Sequence, residues 1–337
     1  MATILLTHPA DVLANYYGDT ALAGLEALAT VRLNRHAREL DRRELVEAAQ
    51  GCELIVSYRG TPGFAELFDR APDLVAFSRC AIDIRNVDVA AASRNGILVT
   101  QASAGFIASV SEWILGAMID LGRGITAATR GYHAGQVPAA AMGRQLKGAT
   151  VGVIGYGQIG RRFCDMCLAL EMRVLVSDPY AKVAANTALV PVDLADLFAQ
   201  ADYVVCLAIA NESTENLIDG KAFARMKQGA FFVNASRGNL VDEAAMLDAL
   251  GRGILAGCAL DVGRAPDQMP TPEVARHPRV IATPHVAGLT PQAIEHQSLE
   301  TVAQAVEILA GRVPKGSVNA DDASRLARLR AGGFGAE

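Results

Sequence analysis

The chain has 337 residues, of which 51% are hydrophobic and 20% charged; that composition buries extensive cores and excludes a disordered protein. At about 150 residues per domain the length predicts two domains. The formal net charge is −5 with no Lys/Arg run of five, which argues against nucleic-acid binding, and no apolar stretch reaches the roughly 18–20 residues of a membrane span.

The N-terminal MATILLTHPADVLA lacks the basic region of a signal peptide, and its ILL reads as a first strand. Cys52, Cys80, Cys164, Cys167, Cys206 and Cys258 lie mostly in apolar segments. They are expected to be reduced, buried thiols of a cytoplasmic protein. Cys164 and Cys167 form a C-x-x-C on a predicted helix without a second pair or a nearby histidine, so core packing is expected there and no metal site.

In the first hundred residues Ile4–Leu6, Leu54–Ser57, Leu74–Phe77 and Ile97–Thr100 are strand candidates, with helical stretches near Ala10–Leu28 and Asp41–Gln50. Near-continuous apolar strands alternating with helices predict a parallel sheet covered on both faces. Val110, Trp113, Ile114, Ala117, Met118 and Leu121 repeat at helical spacing over Ala108–Leu121. Gly122–Gly148, with Gly131, Gly135, Gly143 and Pro138, is loosely patterned and reads as a connection between domains. Thr150–Ile154, Arg173–Ser177, Tyr203–Leu207, Phe231–Asn234, Ala256–Leu260 and Val280–Ala282 are six further strand candidates. That is the count of a complete doubly wound dinucleotide-binding fold. A last helix is predicted near Gln292–Ala310, and the tail beyond Asn319 is expected to fray.

Residues 151–160 read VGVIGYGQIG. An apolar strand precedes this G-x-G-x-x-G and a helical pattern, Gln158–Leu170, follows it. Gly155 permits a tight turn, Gly157 lets backbone approach a pyrophosphate, and Gly160 allows close helix–strand packing at a helix N-terminus that faces the phosphates. Asp178 closes the next apolar run in VLVSDPY, about 20 residues on, where a carboxylate binds ribose hydroxyls and repels a 2′-phosphate. The predicted cofactor is therefore NAD.

Three later strands end in polar groups: Arg237 in NASRGN, Asp261 in ALDV and His285 in TPHVAG. Ligands bind at the carboxyl ends of parallel strands, so the three are expected to converge. A guanidinium can hold a carboxylate at two points and polarise the neighbouring carbonyl, and a histidine can move the proton of an alkoxide. This chemistry suits hydride transfer to a 2-oxo acid.

These residues carry a resemblance to the D-isomer-specific 2-hydroxyacid dehydrogenases. Its anchors are SVSEWILGAMIDLGRGI (109–125), LKGATVGVIGYGQIG (146–160), VLVSDPY (174–180), STENLI (213–218), FFVNASRGNLVDEAAMLDAL (231–250), GCALDV (257–262) and TPHVAGLTPQA (283–293). The resemblance implies an α/β architecture in which a doubly wound parallel-sheet NAD-binding domain, 102–288, is inserted into a smaller flavodoxin-like substrate domain, 1–101 plus 289–337. It implies a homodimer formed largely through Glu112–Arg144, with Trp113 and its stripe as interface or core. It makes Arg237 the substrate-binding arginine and His285 the acid/base. Gly155, Gly157, Gln158, Ile159, Gly160, Asp178, Thr214, Ala235, Asp261 and Gly288 become cofactor contacts, Asp261 facing the nicotinamide carboxamide.

The departures from the family pattern bear on substrate. The family usually has a Glu five residues after the ALDV aspartate, which orients the histidine; here ALDVGRAPDQMP puts Pro266 there, and Asp267, one residue on, is the candidate partner of His285. QASAG (101–105) replaces the family's N-T-P-G. The substrate loop SRCAIDIRNVD (78–88) carries Cys80, Ala81 and Ile82 where the family has a glycine-rich string. YRGTPGF brings Arg59 near the expected substrate mouth. The expected function is NAD-dependent interconversion of a 2-oxo acid and a D-2-hydroxy acid, with an altered substrate; the alternative is a cofactor-sensing binding protein with weak or lost activity.

Overall fold

In a computed structural model, which describes residues 2–183 and 188–331, the chain forms two compact units that divide at Phe106/Ile107 and Thr290/Pro291. The first unit is built from both ends of the chain, the second from the middle.

The first unit holds a five-stranded sheet of β1 (Thr3–Leu6), β2 (Thr30–Leu33), β3 (Leu54–Ser57), β4 (Ala76–Arg79) and β5 (Leu98–Gln101) in the order 2-1-3-4-5, all parallel. That is the flavodoxin-like order. Side chains alternate across the strands. Leu5, Ile55, Phe77 and Val99 pack into one core, and Leu6, Val56, Ala76 and Leu98 into another with Tyr17, Ala305 and Ile308. Ala305 and Ile308 come from the helix Pro291–Leu309, which returns to cover one face of the sheet. Buried Gln304 fastens it there: its Oε1 accepts from Ser78 and Thr100, both at 2.8 Å, and its Nε2 donates to Gln101 O at 2.9 Å.

Several local expectations change. Ala10–Leu28 is two helices, Leu13–Tyr16 and Asp19–Glu26, parted where Gly18 takes φ +86°. β4 begins two residues later than predicted, because the apolar run continues into Ser78 and Arg79, both buried. The tail does not fray through residue 331: Leu326 and Leu329 are buried, and Arg325 Nη1 donates to Ala71 O and Leu74 O.

The second unit holds seven strands: β6 (Thr150–Ile154), β7 (Arg173–Ser177), β8 (Val190–Pro191), β9 (Tyr203–Cys206), β10 (Ala230–Asn234), β11 (Leu255–Leu260) and β12 (Val280–Ala282), ordered 12-11-10-9-6-7-8 and parallel throughout. Strand order reverses between β6 and β9, the point where a doubly wound sheet opens a crevice at its carboxyl edge. The helices Ile107–Arg123 and Gln158–Ala169 pack against each other, with Cys164 and Cys167 fully buried. Gly122–Gly148 is no bare connection between domains: it lies in this unit and contains the helix Ile125–His133. Among the described residues no helix is long and apolar enough to cross a membrane.

Candidate active site

The glycine loop sits at the switch point. Gly155 has φ +98°, and a Cβ there would lie 2.5 Å from Leu207 O at the end of β9. A Cβ at Gly160 would collide with Gly155 O, whereas one at Gly157 would meet nothing within 4 Å. Gly157 begins the helix Gln158–Ala169 without a side-chain cap. The first N–H groups, around Gln158 and Ile159, therefore face the open space above Gly157, where an anion completes them. This cradle fits a dinucleotide pyrophosphate.

Asp178 follows β7. Its Oδ2 accepts from Tyr156 N at 2.6 Å, and its Oδ1 from Tyr180 N at 2.8 Å and Ala181 N at 2.9 Å. Burial pushes the carboxyl up, but these three N–H groups and nearby Arg161 outweigh it and hold it below the usual carboxylate range. A charged Asp178 thus locks the glycine turn to the end of β7. Thr214 spends its hydroxyl locally, accepting from Asn211 N and donating to Ile209 O, both at 2.8 Å.

On the other half of the sheet, Asn234, Leu260 and Ala282 stand in register, which places the turns bearing Arg237, Asp261 and His285 on neighbouring strand ends. Buried Asn234 shapes the first turn, accepting from Ser236 N at 3.1 Å and donating to Arg237 O at 3.0 Å; Ala235 lies within it. Arg237 is half-buried, and its Nη1 donates to Ser236 O at 2.7 Å.

Asp261 is 2% exposed, and its carboxylate organises the next turn. Oδ1 accepts from Thr283 Oγ1 at 2.6 Å and Val286 N at 2.8 Å; Oδ2 accepts from Ala287 N at 2.8 Å. Gly288 comes directly after. Inside this turn His285 takes φ +56°, rare for a non-glycine residue and typical of functional sites. Its Nδ1 lies 2.7 Å from the backbone oxygen of Asp267. A carbonyl only accepts, so Nδ1 carries the hydrogen and Nε2 is the ring atom left for chemistry.

Asp267 and Gln268 also have positive φ, +55° and +59°, in a loop closed by Gly263 N to Gln268 O at 2.7 Å and Ala265 N to Met269 O at 2.9 Å. This loop leans on the Arg237 turn: Gly238 N donates to Gln268 Oε1 at 3.3 Å, and a Cβ at Gly238 would collide with Gly263 O.

Arg264, which the sequence reading passed over, ties three strand ends together. It bonds Glu215 Oε1 at 3.0 Å, Asn216 Oδ1 at 2.6 Å, and the carbonyls of Asn239 and Val241 at 3.1 Å. Its signal was present in GRAPD, a cation within a departure from the family pattern.

Arg59 and Ala81–Ile82 occupy strand ends of the first unit's sheet. Arg59 is half-buried with its guanidinium 5.5 Å from the Tyr16 ring. Ile82 is exposed. Cys80 is a buried thiol, as expected: it is 7% exposed, packs in the core with Tyr17, and burial pushes its thiol up to about 12. Among the described residues no cluster of three His, Cys, Asp or Glu side chains could hold a metal ion.

Residues 115–287 match the family described as D-isomer specific 2-hydroxyacid dehydrogenase, NAD binding domain. The chain is 34% identical over 298 residues to the (S)-sulfolactate dehydrogenase of Chromohalobacter salexigens, covering 87% of this chain and 96% of that one. It is 30% identical to the hydroxypyruvate reductase of Thermotoga maritima, covering 79% and 88%. It spans about half of the phosphoglycerate dehydrogenases it matches, such as that of Archaeoglobus fulgidus, at 32% identity over 83% of this chain and 54% of that protein. Among solved structures, D-2-hydroxyisocaproate dehydrogenase superposes with a TM-score of 0.83 at 25% identity, over 95% of this chain and all of that one.

Proposed function

The chain belongs to the D-isomer-specific 2-hydroxyacid dehydrogenase family and is an NAD-dependent dehydrogenase; from this premise we propose that it interconverts a D-2-hydroxy acid and a 2-oxo acid carrying a second anionic group. The observation that carries the chemistry is the fixed imidazole, Nδ1 on the Asp267 carbonyl and Nε2 free to work. The bound dinucleotide supplies or receives the hydride. Arg237 grips the substrate carboxylate and polarises the carbonyl beside it. His285 Nε2 delivers a proton to the oxygen in reduction and removes it in oxidation. Asp261 acts through the turn it holds, presenting His285 on one side and the cofactor contacts around Gly288 on the other. Asp267 serves His285 through its main chain, in place of the carboxylate that the family pattern puts at Pro266.

The second anion is argued from Arg59 on the other sheet's strand ends, and from the sulfolactate and phosphoglycerate named for two relatives, each of which has an acidic group beyond its carboxylate. The exposed apolar side chains Ile125, Tyr132, Val137 and Met142 support a homodimer formed through Glu112–Arg144. The buried thiols suit the cytoplasm.

The test is NADH and NADPH oxidation with mono- and dianionic 2-oxo acids. Ionised Asp178 should favour NADH by at least tenfold, about 1.4 kcal/mol. Arg59→Ala should lower kcat/KM for dianionic acids selectively, and Arg237→Lys should cost about 10²-fold for all acids. A uniform Arg59→Ala effect would remove the second anion from the proposal, and near-normal turnover by Arg237→Lys would remove the clamp.

A further inference from the structure

Arg79 closes β4 and is 3% exposed, so a guanidinium charge is buried at the carboxyl edge of the first unit's sheet. Its Nη1 donates to Tyr58 O at 2.6 Å and Thr61 O at 3.1 Å, its Nη2 to Arg59 O, and its Nε to Asp83 O at 3.1 Å. None of these acceptors is a carboxylate. The Asp83 carboxylate is turned to Arg85, accepting from its Nη2 at 2.5 Å and its Nε at 2.9 Å. Four peptide dipoles thus bond the guanidinium directly, and the Asp83 and Glu39 carboxylates favour its charge through space. Burial pulls the guanidinium down to about 10, which leaves it charged at neutral pH. His8 is pushed down to about 3 by burial and by the Arg79 charge itself, so it adds no second cation.

The four carbonyls belong to two loops. Residues 58–61 follow β3 and carry Arg59. Residues 80–83 follow β4 and carry Ala81 and Ile82. Other bonds also join the two segments: Gly63 N donates to Asn86 O at 3.1 Å, Asp88 N to Gly63 O at 2.7 Å and Cys80 N to Ser57 O at 3.1 Å, and exposed Asn86 Nδ2 makes long bonds to the carbonyls of Arg59, Gly60 and Thr61 at 3.4, 3.3 and 3.5 Å. A buried cation is costly, and an apolar side chain would fill this strand end more cheaply. Only a planar fork reaches acceptors on both loops at once; an ammonium has one centre.

We propose that Arg79 is a positioning residue for substrate selection: one buried guanidinium sets the spacing of the loops that carry Arg59 and Ala81–Ile82, and so the shape offered to the group beyond the substrate's carboxylate. This rests on the reading of those loops as the substrate wall. It concerns binding of the acid alone, since the glycine loop and the Asp178 lock belong to the other unit.

Arg79→Lys, which keeps the charge, and Arg79→Gln, which keeps a polar side chain without it, test this in the full-length protein. In either folded variant KM for the best 2-oxo acid should rise at least tenfold, with kcat within threefold and the NADH dissociation constant unchanged. Amide hydrogen exchange should show residues 58–62 and 80–85 losing protection together while β1, β3 and β5 keep theirs. A lower melting temperature with unchanged KM would make Arg79 merely structural and overturn the proposal. Should the unmodified chain turn over no 2-oxo acid, the functional reading fails, and hydrogen exchange still decides for Arg79: joint loss of protection in the two loops supports it, and unchanged exchange overturns it.

Discussion

The three glycines of the loop after β6 fail differently when a methyl group is added. Gly155→Ala forces an L side chain to φ +98° against Leu207 O and should destabilise the fold by more than the roughly 1–2 kcal/mol of a left-handed residue alone. Gly157 has φ −75° and open space above it, so Gly157→Ala should leave the melting temperature unchanged and weaken NADH tenfold or more, because the methyl fills the place of a phosphate. Calorimetry and a fluorescence titration on the two variants separate fold from ligand; equal losses of stability would show that Gly157 is structural. Asp267 poses a related question of backbone. Its carbonyl meets His285 only while its φ stays positive. Asn tolerates that conformation and Val does not, so Asp267→Val should reduce kcat/KM about tenfold further than Asp267→Asn. Equal losses would mean that the carbonyl's placement is not at stake. Arg237 and His285 were legible as residue types at strand ends. The carbonyl partner was not, because a main-chain acceptor leaves no letter in a sequence. Arg79 was legible only as an oddity, a charge inside the apolar run AFSRCA.

Among the elements, apolar strands announced themselves, the edge strands β5 and β12 included, and the polar edges β2 and β8 did not. TVGVI and AFFVN are buried end to end and RVLVS in all but its first residue, and runs of that kind have few alternatives. β2, TVRL, alternates between exposed and half-buried at a sheet edge, and β8 is two exposed residues ending in Pro191; neither has a hydrophobic run to show. The helix Ile125–His133 buries no residue, which is why its stretch looked like a linker. Connections between elements are where Arg264 acts. It joins the Glu215–Asn216 segment to the turn after Arg237, but in a partly exposed setting that weakens each charged bond. Arg264→Gln should therefore cost about 1 kcal/mol in NADH binding, roughly a fivefold rise in dissociation constant. Titration of the variant with NADH checks this, and an unchanged constant would leave Arg264 a surface brace.

For the molecule as a whole, acid is the sharpest probe. Unfolded His8 takes up a proton near its ordinary 6.5, whereas in the fold burial and Arg79 delay uptake to about 3. Acid thus favours the unfolded chain. The stability that neutral His8 permits is whole above about pH 6.5 and falls by up to roughly 1.4 kcal/mol per pH unit as pH drops toward 3. Urea midpoints at pH 7.5 and 5 should converge in His8→Gln relative to the unmodified chain; parallel shifts would assign the acid response to other groups. The discontinuous first unit has a further consequence, in the order of synthesis. Ile4, Leu6, Val56 and Leu98 are covered by Ala305, Ile308 and Leu309, which lie about 200 residues beyond the end of β5. At ~5–20 residues per second a ribosome takes on the order of 10–40 s to supply them. Throughout that interval the nascent N-terminal sheet has one face bare, while the middle unit is made and, at Thr290, is the first to have its whole core. The first unit is completed last, so the bare face is where a nascent-chain chaperone would act.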